Sequence, residues 1–159
     1  NYFNNATGQI NANGIELDLK YAFNENFLVM ANHSFAKAVI NDTIDFVDVP
    51  TQKTNGAITF VLPGNFRLVS TAVVRHMWGM TVIDGAYDES IVEMNSSSEV
   101  SGYTMLDLNF QVPIIEQFGL EFQIRNVFDT KWKQPSLLGQ SSMVPLQGRN
   151  FMATVYAKF

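Results

Sequence analysis

Apolar and polar side chains alternate along most of this chain with a period of two. Ile15-Glu16-Leu17-Asp18-Leu19-Lys20-Tyr21-Ala22-Phe23 sets five apolar side chains against Glu16, Asp18 and Lys20. Successive residues of an extended strand point to opposite faces, so this run predicts a strand with one greasy and one wet face. Asn24-Glu25-Asn26 follows, with residue types that favour turns. Phe27 to Lys37 then places Phe27, Val29, Ala31, His33 and Phe35 on one face. Further strands are predicted at about Lys53 to Leu62, Phe66 to Met77, Gly102 to Val112 and Phe118 to Phe128. The seventh is Asn150 to Phe159, with Phe151, Ala153, Val155, Ala157 and Phe159 on its apolar side.

The connections alternate in length. They are short near Asn24, Pro63 and Pro113, and long over 38–52, 78–102 and 129–148. Short periplasmic turns and long extracellular loops are the layout of an outer-membrane barrel. The expected fold is therefore all-β: an antiparallel transmembrane β-barrel segment of about seven strands over 14–159. Residues 1–13, with five Asn, read as an extracellular loop remnant. Seven is an odd number, and a sheet cannot leave an edge open in lipid. The pattern thus predicts the C-terminal part of a larger barrel. The start at Asn1 without Met fits a processed product or a fragment.

Composition sharpens this. Among 159 residues, hydrophobic types make up 47% and charged types 16%, below the ~25% of ordinary globular domains. No apolar run approaches the ~18 residues of a membrane helix, so any membrane crossing must use strands. Cysteine is absent, which excludes disulfides and thiolate metal sites. A net charge of −5 argues against a nucleic-acid surface. Aromatic residues gather towards the strand ends. Tyr21, Phe23, Phe27, Phe66, Phe118 and Phe159 lie near the short turns; Phe35, Trp78, Tyr103, Phe128, Trp132 and Phe151 lie near the long loops. The steps from Phe27 to Phe35 climb roughly 20 Å in a tilted strand, close to the apolar height between aromatic girdles. Glu16, Asp18, Asp107, Glu121 and Arg125 at mid-strand suit a wet or plugged lumen better than a dry core.

Three segments resemble TonB-dependent outer-membrane receptors. Asn126-Val127-Phe128-Asp129-Thr130-Lys131-Trp132 is similar to the Asn-Leu-Phe-Asp-x-x-Tyr segment before their last loop. Gly102-Tyr103-Thr104-Met105-Leu106-Asp107-Leu108 resembles their Gly-Tyr-x-x-x-Asp strand, and Gly148-Arg149-Asn150-Phe151 through Phe159 resembles their last strand. The order fits, and the likeness runs over roughly residues 14–159. It implies the last seven or so strands of a barrel of about 22 around an N-terminal plug. It further implies TonB-coupled uptake of a scarce solute: a ferric siderophore, a cobalamin, or a glycan or peptide. Gly148-Arg149-Asn150-Phe151 tilts towards the siderophore-like group. The implied partners are outer-membrane lipid, the receptor's own N-terminal strands and plug, TonB through that plug, and the barrel-assembly machinery. Phe151, Val155 and Phe159 would carry the assembly signal, although Ala157 stands where the family has an aromatic. Two other readings remain open, a complete small barrel with an adhesin or structural role and a soluble ligand-binding barrel.

No catalytic constellation is visible, so no enzyme and no cofactor is expected. His33 and His76 are the only histidines, and no His/Cys metal spacing occurs. Asp84, Asp88, Glu89, Glu93 and Glu99 make one long loop acidic, which most simply reads as a solvated surface. Arg75, Trp132 and Arg149 are candidates for solute contact, with an interfacial anchor as the plainer reading of Trp132. Glu16, Asp18, Lys20, Asp107, Asn109, Glu121, Gln123 and Arg125 form the expected lumen and plug-facing row.

Overall fold

The computed structural model describes residues 9–40, 44–45, 50–64, 67–83, 97–135 and 143–157. The strands are β1 (Ile10–Asn24), β2 (Phe27–Ile40), β3 (Ile44–Asp45), β4 (Gln52–Leu62), β5 (Leu68–Met77), β6 (Met80–Ile83), β7 (Ser97–Val100), β8 (Tyr103–Ile115), β9 (Phe118–Arg125), β10 (Lys133–Pro135), β11 (Met143–Pro145) and β12 (Asn150–Ala157). Seven of them form the main path of one antiparallel sheet in the order β1-β2-β4-β5-β8-β9-β12, and β3 joins it beside β2. These are the seven strands the alternation predicts. Neighbours in the sheet are neighbours along the chain, apart from the short strands β3, β6, β7, β10 and β11 within the long connections.

Register keeps the two faces separate. Tyr21, Val29, Ile58, Ala72, Leu108, Ile124 and Phe151 pair in sequence across all seven strands, a single apolar row. Asp18, Asn32, Asn55 and Arg75 pair in the same way on the opposite face. A slip of one residue anywhere would send a strand's apolar set to the polar side.

Among the described residues no second layer covers the apolar face. Leu17 is 64% exposed, Phe151 64% and Val155 63%. A soluble protein of this size would bury such a surface, because apolar area in water costs roughly 25 cal/mol per Å². Among the described residues the buried hydrophobics are Met80, Met105 and Trp132, all at the long-loop end. The sheet's cohesion thus comes from its backbone ladders and cross-strand pairs.

The strand ends differ from the sequence expectation. β1 begins at Ile10, and Ile10 to Asn13 pair with Ile40 to Lys37. The expected boundary at 14 falls inside the hairpin, and so does the expected loop start at 38. Ile10-Asn11-Ala12-Asn13 alternates in the opposite phase to Ile15 to Phe23, so the apolar row gives no sign that the ladder continues. At the other end, Glu25–Asn26 and Glu116–Gln117 are two-residue turns. Each is preceded by a register irregularity, at Ala22/Asn24 and at Pro113/Ile115. Phe66, Lys158 and Phe159 lie outside the described residues.

Candidate functional site

The polar face brings together every residue expected on it. Arg75 of β5 forms an ion pair with Asp107 of β8. The Asn109 amide donates to Glu121 of β9. Arg125 Nε donates to Gln123 Oε1 at 2.7 Å. Thr59 and Thr71 share a hydroxyl hydrogen bond at 3.2 Å between β4 and β5. On β1, Glu16 and Asp18 are held by an amide: Asn32 Nδ2 donates to Glu16 Oε1 at 2.9 Å and to Asp18 Oδ1 at 2.7 Å. Asn32 is absent from the expected set. Its position between Ala31 and His33 already places it on the wet side of β2, which is the signal that could have found it. Lys20 lies on the same face, opposite Met30.

A knot of hydrogen bonds closes the long-loop end of this face, and all three resembling segments meet in it. After β9 the chain turns through Asn126 and Asp129, both left-handed with φ of 52° and 53°. Asn and Asp tolerate that region better than other non-glycine residues. Asn126 is 2% exposed and uses its whole amide. Its Nδ2 donates to Thr130 O and Gln147 O, and its Oδ1 accepts from Thr130 N. Its backbone N–H donates to Asp107 Oδ1 at 2.8 Å. Asp129 Oδ1 accepts from Lys131 Nζ at 2.8 Å and from the backbone N–H of Arg149 at 2.9 Å. These donors hold the Asp129 carboxyl below its ordinary range, the Lys131 hydrogen bond most of all. Gly102 is required on steric grounds: a Cβ there would run into the Met77 carbonyl and the Gly79 nitrogen.

Trp132 lies at the centre of the knot's apolar part. It packs with Met80, and Met77, Val100, Tyr103 and Leu146 surround the pair. The Trp132 and Tyr103 rings lie 4.6 Å apart, and Trp132 Nε1 donates to Ser101 O at 2.6 Å. Buried at 8% exposure, Trp132 sits neither on the apolar face as an interfacial anchor nor open to a solute. Tyr103 occupies the inner side of the rim, the face that its parity with Asp107 and Asn109 predicts. For Trp132, outside the alternating strands, aromatic character suits a core and a girdle equally.

The remaining candidates divide. Arg149 is exposed, with a guanidinium nitrogen 3.4 Å from Val127 O. Phe151 and Val155 are exposed on the apolar side of β12. Glu99 is exposed on β7, whereas Asp84, Asp88, Glu89 and Glu93 lie outside the described residues. Among the described residues no three His, Asp or Glu side chains are placed to hold a metal ion.

No family profile matches the sequence, and no curated protein matches it. Solved structures do. The ferripyoverdine receptor of the outer membrane of Pseudomonas aeruginosa superimposes with a TM-score of 0.79 over 96% of this chain, at 14% identity. The ferric yersiniabactin uptake receptor of Yersinia pestis gives 0.76 over 96% of the chain, at 16% identity. The ferric-catecholate import receptor of K12 E. coli gives 0.72 over 96%, at 16% identity. The chain spans 20%, 24% and 21% of those three proteins, respectively. Its seven-stranded antiparallel sheet has the fold of a wall section of these large β-barrel receptors.

Proposed function

We propose that this chain is part of an outer-membrane receptor that takes up a scarce solute by TonB-coupled active transport. One observation carries the reading: an uncovered apolar face lies back to back with a hydrogen-bonded polar face on a single sheet. Lipid on one side and a wet or plugged lumen on the other satisfy both at once. The outer edges, β1 and β12, each have one neighbour in the sheet. In lipid their free N–H and C=O groups would cost several kcal/mol each, so they pair with further strands of the receptor.

Within that reading the chain supplies barrel wall, lumen face and capture loops. Glu16, Asp18, Lys20, Asp107, Asn109, Glu121, Gln123 and Arg125 face the lumen and dock the plug, through which TonB acts. Arg75 and Arg149 are cationic groups towards the long-loop end that an anionic solute could meet. Trp132 serves the solute indirectly, by holding the loops. Phe151 and Val155 on the last strand, together with Phe159, are read by the assembly machinery. A ferric siderophore is the favoured solute, because the matched receptors take ferric siderophores and Gly148-Arg149-Asn150-Phe151 points the same way. The test is uptake of labelled ferric hydroxamate and catecholate complexes by cells carrying the natural gene, with and without TonB. Uptake that is lost with TonB is expected. Uptake indifferent to TonB would overturn the coupling, and recovery of the protein in the soluble fraction would overturn the membrane assignment.

A further inference from the structure

The apolar face carries one row that does not belong in hydrocarbon. His33 pairs with Thr54, Thr54 with His76, and His76 with Thr104, on β2, β4, β5 and β8. His33 Nδ1 lies 2.8 Å from Thr54 Oγ1, and His76 Nδ1 lies 2.8 Å from Thr104 Oγ1. With the hydroxyl as donor to Nδ1, an imidazole carries its proton on Nε2 and presents a donor to whatever lies outside the sheet; with the roles reversed, Nε2 presents an acceptor, and either way a polar ring nitrogen faces outward. A polar ring nitrogen facing acyl chains would go unsatisfied. The adjoining row towards the short turns is wholly apolar: Leu19, Ala31, Gly56, Val74 and Leu106.

The surroundings fix what this row meets. Towards the long loops lie Phe35 and Trp78, both exposed, with the Trp78 ring edge-on to His76 at 4.9 Å. Aromatic side chains of this kind occupy the headgroup level. From Thr54 to Leu62 the face descends roughly 20 Å at usual strand rise and tilt, close to the height of an apolar band. Electrostatics choose the headgroup chemistry. All four described carboxylates of the seven long strands, Glu16, Asp18, Asp107 and Glu121, lie on the opposite face. Lys37 lies on the apolar side, two residues beyond Phe35. Imidazole donors, on a face where the seven long strands place no described carboxylate, suit an anion.

We propose that the His33-Thr54-His76-Thr104 row, flanked by Trp78, is a contact site for the phosphate groups of membrane lipid at the long-loop edge of the apolar band. It rests on the membrane reading above and adds the lipid chemistry and the residues. The test uses the protein produced from its natural gene, extracted from the outer membrane in mild detergent. Native mass spectrometry then compares retention of phosphatidic acid with that of diacylglycerol, which has the same chains without phosphate. The expected preference for phosphatidic acid falls by about tenfold in H33L/H76L, the weight of one hydrogen bond to a charged group. I58L, on the same face two rows away, keeps it. T54V/T104V frees the ring nitrogens and weakens the preference without removing it. Heat-modifiable gel mobility shows that each variant is folded. A wild-type protein with no preference, or an H33L/H76L variant that keeps all of it, overturns the proposal. Absence of the protein from the outer membrane would instead sink the reading beneath it.

Discussion

Asp107 on β8 accepts the backbone N–H of Asn126 at 2.8 Å, and the same carboxylate pairs with Arg75 on β5. One side chain thus ties the polar face to the turn that launches the last long loop. Asp107→Ala leaves the buried Asn126 N–H without its acceptor, at a cost of about 1–3 kcal/mol. Asp107→Asn keeps an oxygen for Asn126 and loses only the pairing with Arg75. That arginine is half exposed, so the pair itself is worth no more than about 1 kcal/mol. Urea midpoints in detergent should rank wild type, Asp107→Asn, then Asp107→Ala. A reversed order would remove Asp107 from the centre of the knot.

Gly102 and Gly119 offer a contrast between two kinds of close approach. A Cβ at Gly102 meets backbone, the Met77 carbonyl and Gly79 nitrogen, and neither can move without disturbing the rim. A Cβ at Gly119 meets the far end of the Tyr156 side chain, which can rotate away. Gly102→Ala should therefore cost about 1–3 kcal/mol and Gly119→Ala markedly less. Unfolding midpoints of the two variants, measured side by side, decide it.

These positions show how far the sequence carries. Alternation such as Ile15 to Phe23 was legible because the residues of the two faces differ in kind. The continuation of β1 to Ile10 was not, since the alternation changes phase before Ile15 although backbone pairing runs on. The turn at Asn126 and Asp129 was not read, since the expected strand ran on to Phe128 whereas β9 ends at Arg125. Its partner Asp107, nineteen positions earlier, was visible only as a lumen residue. That the three resembling segments converge on one knot is a fact of three-dimensional contact, which no local pattern encodes.

Trp132 joins two long connections. It bonds to the Ser101 carbonyl and packs on Met80 and Tyr103, while Leu146 N donates to Trp132 O. Trp132→Ala should loosen both connections together. Cleavage at Lys131 or Lys133 by trypsin and at Glu99 by a Glu-specific protease should rise in parallel. Trp132→Phe keeps much of the packing and forfeits the indole hydrogen bond, about 1 kcal/mol, so its cleavage should be intermediate. Faster cleavage at only one of the two places would show that the loops are not coupled through this ring.

Asp129 makes the last turn sensitive to acid. Its carboxyl is held below the ordinary value, first by the Lys131 hydrogen bond and then by the Arg149 backbone N–H. A depressed folded-state value contributes stability above the unfolded value of ~3.9, and that contribution is lost as pH falls through the folded value. The turn should stay closed at neutral pH and open in strong acid, where protonation removes the acceptor. Tryptic cleavage is impractical there, so pepsin cleavage near Arg149 is the readout. Asp129→Asn should raise cleavage at pH 4 and leave little further change at lower pH. A wild-type profile shared by Asp129→Asn would exonerate this carboxyl.

The two faces of β12 give the most direct test of which side meets lipid. Val155 pairs with Leu120 in an apolar row, and Thr154 pairs with Glu121 in a polar one. Both residues are exposed and adjacent, so burial cannot separate them. Val155→Arg puts a guanidinium into the apolar band, at a cost of about 2–4 kcal/mol near its middle. Thr154→Arg puts the same group beside Glu121 on the wet side, where a cross-strand pair returns roughly 0.2–1 kcal/mol. Outer-membrane yield and heat-modifiable mobility should collapse for Val155→Arg and stay near wild type for Thr154→Arg. Equal yields would mean that the apolar face does not meet lipid, and the barrel-wall reading would fall with it.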